Sequence, residues 1–235
     1  MEGRFRNMVI DALFPRFCLS CKDEGQIFCL RCTSNWVAKP EPVACPFCGQ
    51  RGSDRTCEGC QKENHLDGLV SYLPYGNPII REMIGYWKYD GDRSVESVLR
   101  QWIKQSRDRL RPLMESFVVT HTPVHASRRR MRGFDQAEVL SNWAGEMFLM
   151  PVESLLVRSK KTKPQAKVDH KKRRVGTLYG IFALHPNVSE LPRRVLLCDD
   201  VFTSGATMDA AAKCLKEAGV EEVWGFVIAK GSHDA

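Results

Sequence analysis

The residues best suited to chemistry lie in one stretch, Val195-Leu-Leu-Cys-Asp-Asp-Val-Phe-Thr-Ser-Gly-Ala-Thr207. Asp199 and Asp200 follow an apolar run that reads as a short buried strand. Thr203, Ser204, Gly205, Ala206 and Thr207 then form a tight loop that opens an apolar helix. That helix carries Met208, Ala211, Ala212, Leu215 and Ala218 on one face, with Gly219 as its C-cap. Hydroxyls and backbone N–H groups at a helix N-terminus bind an anion, because the orphan donors and the dipole both favour negative charge there. Gly205 lets the backbone come close. Two adjacent carboxylates can accept hydrogen bonds from two neighbouring ribose hydroxyls, so the pattern suits a sugar phosphate. A plain strand–turn–helix with a capped start is the ordinary alternative. Against it, two acids directly after a buried run carry a desolvation cost with no evident partner in the sequence.

A second chemistry is written in four Cys-x-x-Cys pairs: Cys18/Cys21, Cys29/Cys32, Cys45/Cys48 and Cys57/Cys60. Each such turn presents two thiolates to one ion, and two turns complete a tetrahedral site. Four pairs therefore make two zinc sites. The simplest pairing is sequential, although spacing leaves the interleaved pairing open. Gly49, after the Cys45-Pro-Phe-Cys48 turn, is free to take a positive φ. Thiol exchange is the rival use of this motif, but eight regularly spaced cysteines favour structural metal. Cys198 and Cys214 stand apart and read as small buried residues. Ten cysteines without a secretion signal point to a reducing cytoplasm.

The elements that must position these groups follow from the pattern. The chain has 235 residues, 43% hydrophobic and 27% charged, enough for one α/β domain and a small module. We expect a division near Asn64, with residues 1–64 holding an amphipathic helix over 4–14 and the cysteine module, and residues 65–235 holding the larger domain. Strands are expected at Leu69–Leu73, Phe117–Thr120, Gly180–Ala183, Val195–Asp199 and Glu222–Ile228. Helices are expected over 79–90, 94–110 and 136–148. This alternation implies a mainly parallel sheet with helices on both faces. No apolar run is long enough to span a membrane.

The net charge of +7 favours an anionic partner. Arg128, Arg129, Arg130 and Arg132 follow the second strand, where α/β folds bind ligands. A second basic stretch, 158–174, contains Lys160, Lys161 and Lys163 and reads as a mobile ribbon that needs an anion to collapse. Trp87 and Tyr89 read more readily as packing residues than as stacking platforms for bases.

The Asp199–Thr207 stretch resembles the phosphoribosyl-pyrophosphate (PRPP) motif of type I phosphoribosyltransferases. In order along the chain, paired zinc knuckles, Tyr86-Trp-Lys-Tyr-Asp-Gly-Asp92, Arg132-Gly-Phe-Asp-Gln136, Lys163-Pro-Gln165, Gly180-Ile-Phe182 and the PRPP-type motif resemble the ComF family of competence proteins over nearly the whole chain. The resemblance implies a double zinc ribbon followed by a type I phosphoribosyltransferase-like domain. It also implies a role in natural transformation on the cytoplasmic side, handling incoming single-stranded DNA, with other competence proteins as partners. The implied PRPP contacts are Asp199, Asp200, Thr203 to Thr207, Thr122 and Arg132, with Mg²⁺ accompanying the ligand. The two basic stretches supply the expected nucleic-acid contacts, Arg128, Arg129, Arg130, Lys160, Lys161 and Lys163.

Three elements depart from the usual family pattern: His121-Thr122-Pro123 stands for Pro-Val-Pro, Asp135 for Asn, and Thr177 for Asn. The departures bear on catalysis more than on fold. Thr203 stands where purine-salvage enzymes carry an acid and cannot act as a general base near neutral pH, so the motif looks more like that of orotate-type or glutamine-dependent enzymes, or of a binding protein that kept the phosphate site. No catalytic residue is assigned. The readings are a DNA-handling protein with a phosphosugar site, an active Mg²⁺-dependent phosphoribosyltransferase of unknown acceptor, or a PRPP-sensing regulator. No residue stands out as the determinant of a nucleobase, which favours the first.

Overall fold

The computed structural model describes residues 15–35, 41–89, 94–113, 116–158 and 180–231. The expected helix over 4–14 and the basic ribbon beyond Arg158, with Lys160, Lys161, Lys163 and Thr177, lie outside the described residues.

Four parallel strands form the main sheet: β1 (Gly68–Pro74), β2 (Val118–His121), β5 (Arg194–Phe202) and β6 (Glu222–Lys230), in the order β1-β6-β5-β2. Buried on both faces, they read as near-continuous apolar runs. Successive side chains of β5 divide between two cores: Leu196 and Cys198 join one, Val195 and Leu197 the other.

On the first face lie α3 (Pro78–Tyr89), α4 (Ser94–Ile103) and α7 (Gln136–Phe148). They contribute Met83, Trp87, Leu99, Trp102, Leu140 and Trp143 to that core. On the second face lies α8 (Ala206–Glu217), with Met208, Ala211 and Leu215 buried. This is the expected mainly parallel sheet with helices on both faces. The helix expected over 94–110 changes to a 3₁₀ turn after Ile103 and resumes as the short α5 (Arg107–Leu110).

The strand expected at 180–183 is found at β4 (Phe182–Leu184), but it stands outside the main sheet. It pairs antiparallel with an unforeseen strand, β3 (Leu156–Arg158). Three residues are too few to compete for a place in the central sheet. A local pairing, with Arg158 over the Phe182 ring at 5.6 Å, satisfies them instead. The arginine run that follows the second strand is a short helix, α6 (Ala126–Arg132). His125 caps its start and Gly133, at φ 80°, ends it.

Two short helices, α1 (Leu30–Asn35) and α2 (Glu58–Gln61), belong to the cysteine module. Several bonds cross Asn64: Thr56 N–H donates to Asp67 O at 2.8 Å, and Leu69 N–H to Asp54 O at 2.9 Å. The first cysteine group packs into the first core through Phe28, whose ring meets Trp102 edge-on at 5.3 Å.

Candidate functional site

The eight cysteines assemble as two groups, Cys18/Cys21/Cys29/Cys32 and Cys45/Cys48/Cys57/Cys60, each with its four sulfurs within 4.8 Å of one another. The sequential pairing is the one the fold adopts. Sulfurs on a tetrahedron of 2.3 Å metal–sulfur bonds stand about 3.8 Å apart. Cys21 and Cys29 are 3.7 Å apart, and Cys48 and Cys57 3.6 Å. The donor set and its spacing therefore fit zinc.

Both groups are built alike. A residue in the left-handed region, Lys22 in one and Gly49 in the other, follows the first knuckle. Single antiparallel bridges, Phe17 with Glu24 and Ala44 with Arg51, close the two turns. Burial pushes the Cys18 thiol up, but the N–H groups of Cys21, Cys29 and Ser20 outweigh it and bring it down to about 6. At Cys45, burial is likewise outweighed by the N–H groups of Cys57, Cys48 and Phe47, giving about 7. These backbone donors stabilise thiolate, the form that binds metal.

The carboxylate site forms at the carboxyl end of β5. Asp199 and Asp200 still belong to the strand, which runs to Phe202. Asp199 Oδ1 accepts from the Asp200 N–H at 2.8 Å, and the Thr122 hydroxyl, which donates to Cys198 O at 3.5 Å, lies beside it. Thr122 is itself fixed by its N–H to Cys198 O at 3.0 Å. Burial, then the charge of Asp200, raises Asp199 to about 7.

The partner absent from the sequence reading is Lys88, at the end of α3, whose Nζ lies 2.9 Å from Asp200 Oδ2. The next residue, Tyr89, carries the Arg132 guanidinium over its ring at 5.1 Å. The last turn of α3 thus links Asp200 to Arg132. Lys88 could have been found from the Tyr86–Asp92 stretch, but nothing in its helical spacing marks the carboxylate it meets.

Thr203 and Ser204 are exposed, and Gly205, at φ 76°, is the residue before α8. Among the described residues no side chain caps that helix start, as an anion site there requires. Arg132 also reaches Gln136 Oε1 at 2.9 Å. Among the described residues, Arg132 Nε and Gln136 Nε2 are buried donors without an acceptor. Asp135 holds structure together. Its carboxylate accepts from Ala137 N–H at the start of α7 and from Val124 N–H, both at 3.0 Å.

Arg128, Arg129 and Arg130 are exposed on α6, and Arg129 pairs with Glu138 at 2.9 Å. Arg158 lies near Arg128 and Asp199; burial first, then the Arg128 charge, lowers its guanidinium from its ordinary value. Trp87 is fully buried and stacked on Trp143 at 5.4 Å, so it offers no face to a base. A cleft of about 370 Å³ opens at the other end of β5 and β6, beside Arg55, Arg109 and Arg194. Those arginines are already paired, Arg55 and Arg194 with Glu222 and Arg109 with Asp54. No helix among the described residues is long and apolar enough to cross a membrane.

No family model matches the chain. The competence protein ComFC of Streptococcus pneumoniae is 27% identical over 215 residues, covering 90% of this chain and 91% of its own length. The competence protein ComFC of Bacillus subtilis is 28% identical over 201 residues, covering 81% and 78%. Among solved structures, a purine phosphoribosyltransferase from Pyrococcus horikoshii has a TM-score of 0.30 and 11% identity, covering 69% of this chain and 87% of that one, a likeness too slight to carry an argument. The competence protein F of Haemophilus influenzae is 31% identical over 195 residues, covering 77% of this chain and 84% of that protein. With likeness of that extent across most of both chains, this chain belongs to the ComF family of competence proteins.

Proposed function

We propose that this protein acts in natural transformation, handling incoming single-stranded DNA in the cytoplasm, and that it binds PRPP or a related phosphosugar at the carboxyl end of β5. One observation carries the ligand reading: the Asp199–Asp200 pair, with Lys88 against it, leads directly into a helix start that no side chain caps. In this reading Asp199 and Asp200 accept the ribose hydroxyls, Thr203 to Thr207 hold the 5′-phosphate, and Thr122 and Arg132 face the pyrophosphate, which brings Mg²⁺ with it. Two structural zinc ions hold the cysteine groups. Other competence proteins are the partners of that role. Titration calorimetry with PRPP, with and without Mg²⁺, should register binding that Asp200→Ala abolishes. Absence of heat in the wild type overturns the ligand reading.

A second reading, phosphoribosyl transfer, is favoured by Asp199, a carboxyl raised to about 7 at the ligand end of the sheet. Acids and bases poised near neutrality gather at catalytic sites. Pyrophosphate release from PRPP in the presence of a panel of nucleobases tests it; no release leaves the binding reading alone.

A further inference from the structure

The two cysteine groups sit against opposite faces of the sheet. The first packs into the core with α3, α4 and α7; the second reaches the core with α8 through Phe47. Phe47 lies between two sulfur ligands, Cys45 and Cys48. Its ring meets Phe202, the last residue of β5, edge-on at 5.8 Å. Gly205 sits under both rings. A Cβ there would lie 2.5 Å from Phe202 Cζ and 2.9 Å from Phe47 Cε1. The phosphate loop is therefore closed against the second knuckle with no room for a methyl group.

A second tie fixes the far side of that loop. Asn64 N–H and Nδ2 both donate to Cys60 O, at 3.1 and 2.8 Å. The next residues, His65 and Leu66, donate their N–H groups to Asp209 Oδ1 at 2.5 and 3.2 Å. Asp209 is buried in the first turn of α8. The chain leaving the last sulfur ligand thus clamps the helix whose start would hold the phosphate.

We propose that Phe47 is a positioning residue of the phosphate loop, and that the ion held by Cys45, Cys48, Cys57 and Cys60 sets the loop's affinity for a phosphorylated sugar. The ion held by Cys18, Cys21, Cys29 and Cys32 has no such effect. The physical reason is preorganisation. Four thiols without an ion do not keep the knuckle geometry, because metal binding is folding free energy for such a turn. When Phe47 withdraws, a void opens beside Gly205, and backbone donors that must be ordered on binding bind more weakly.

The proposal rests on the phosphate reading of residues 203–207, so the experiment has two separate readouts. Hydrogen exchange of the Thr203–Asp209 amides, without ligand, reports positioning; calorimetry with PRPP and Mg²⁺ reports binding. Phe47→Ala should retain both zinc ions, speed exchange across the loop and weaken PRPP by about tenfold. Phe47→Tyr should restore both readouts. Cys48→Ser should mimic Phe47→Ala, and Cys21→Ser should leave loop exchange unchanged. Should Phe47→Ala fail to fold, Phe47→Leu carries the same comparison. Unchanged exchange in the Phe47 variant, or equal loosening by Cys21→Ser, overturns the proposal. A wild type that ignores PRPP overturns the ligand assignment, while the exchange data still decide whether Phe47 positions the loop.

Discussion

Lys88 Nζ lies 2.9 Å from Asp200 Oδ2, and both side chains are largely buried, 17% and 15% exposed. This pair explains how two adjacent carboxylates persist at the end of a core strand. The sequence alone predicts that Asp200→Ala leaves stability equal or better, by relieving repulsion. With Lys88 in contact, the substitution strands a buried cation. Lys88→Met and Asp200→Ala should each cost on the order of 3 kcal/mol. The double variant Lys88→Met/Asp200→Ala should recover most of that in denaturant unfolding. A double variant no more stable than the singles would show that the pair is not the cause.

Asp199 makes stability depend on pH. Its carboxyl is raised from the ordinary 3.8 to about 7, first by burial and then by Asp200. The native state therefore holds a proton that the unfolded chain has released. Stability contributed at this site should fall as pH rises through that window, with a slope of at most about 1.4 kcal/mol per pH unit. Above it the curve should be flat. Asp199→Asn should remove the slope, and Lys88→Met should extend it to higher pH, because the Lys88 charge holds Asp199 down. Urea unfolding across the window checks both.

Trp87 is a packing residue. Its ring is stacked on Trp143 and its Nε1 donates to Glu96 Oε1 at 3.4 Å. Trp87→Ala should cost about 3–5 kcal/mol, read from thermal or denaturant unfolding. Tyr89, exposed beneath Arg132, should cost far less when truncated. A Trp87 variant of native stability that binds DNA poorly would contradict the packing assignment.

The two cysteine groups should hold about two zinc ions per chain by elemental analysis. Sequential pairing makes a sharper statement. Cys21→Ser should weaken one ion only, leaving the second group intact, and Cys48→Ser the converse. An interleaved arrangement would mix the two losses, and protein purified with disulfides and no zinc would remove the assignment altogether.

The apolar periodicities around β1, β2, β5 and β6 were legible because each strand is buried on both faces and bounded by turns. The Cys-x-x-Cys pairs and the Asp199–Thr207 loop were legible because their chemistry is local. What escaped is non-local. Lys88 meets Asp200 from a helix far away in the sequence, and Phe47 meets Gly205 from the other end of the chain. Neither spacing nor residue type records such a meeting. The Leu156–Arg158 strand escaped because three residues carry no period. The arginine helix escaped because Arg128 to Arg132 read as charge, while its cap is a histidine, His125, whose Nδ1 accepts from Ser127 N–H at 3.1 Å.

The last prediction concerns single-stranded DNA. On α6, Arg128 and Arg130 are exposed, and no carboxylate among the described residues pairs with them, whereas Arg129 is held by Glu138. An arginine already neutralised gains less from a phosphate, so the three neighbours should differ. If α6 tracks a DNA backbone, binding should weaken steeply with salt. The slope of log K against log salt should be about −0.7 per phosphate neutralised. Arg128→Ala and Arg130→Ala should each make that slope shallower by about one contact, and Arg129→Ala by less. The Lys160/Lys161/Lys163 triple alanine variant should lower affinity for all sequences alike, since phosphate contacts carry no base information. The rival is that these charges serve only the pyrophosphate of PRPP. Fluorescence anisotropy with a short labelled oligonucleotide, with and without PRPP and Mg²⁺, separates the two. Under the rival, the oligonucleotide does not bind at moderate salt and the substitutions change PRPP affinity alone.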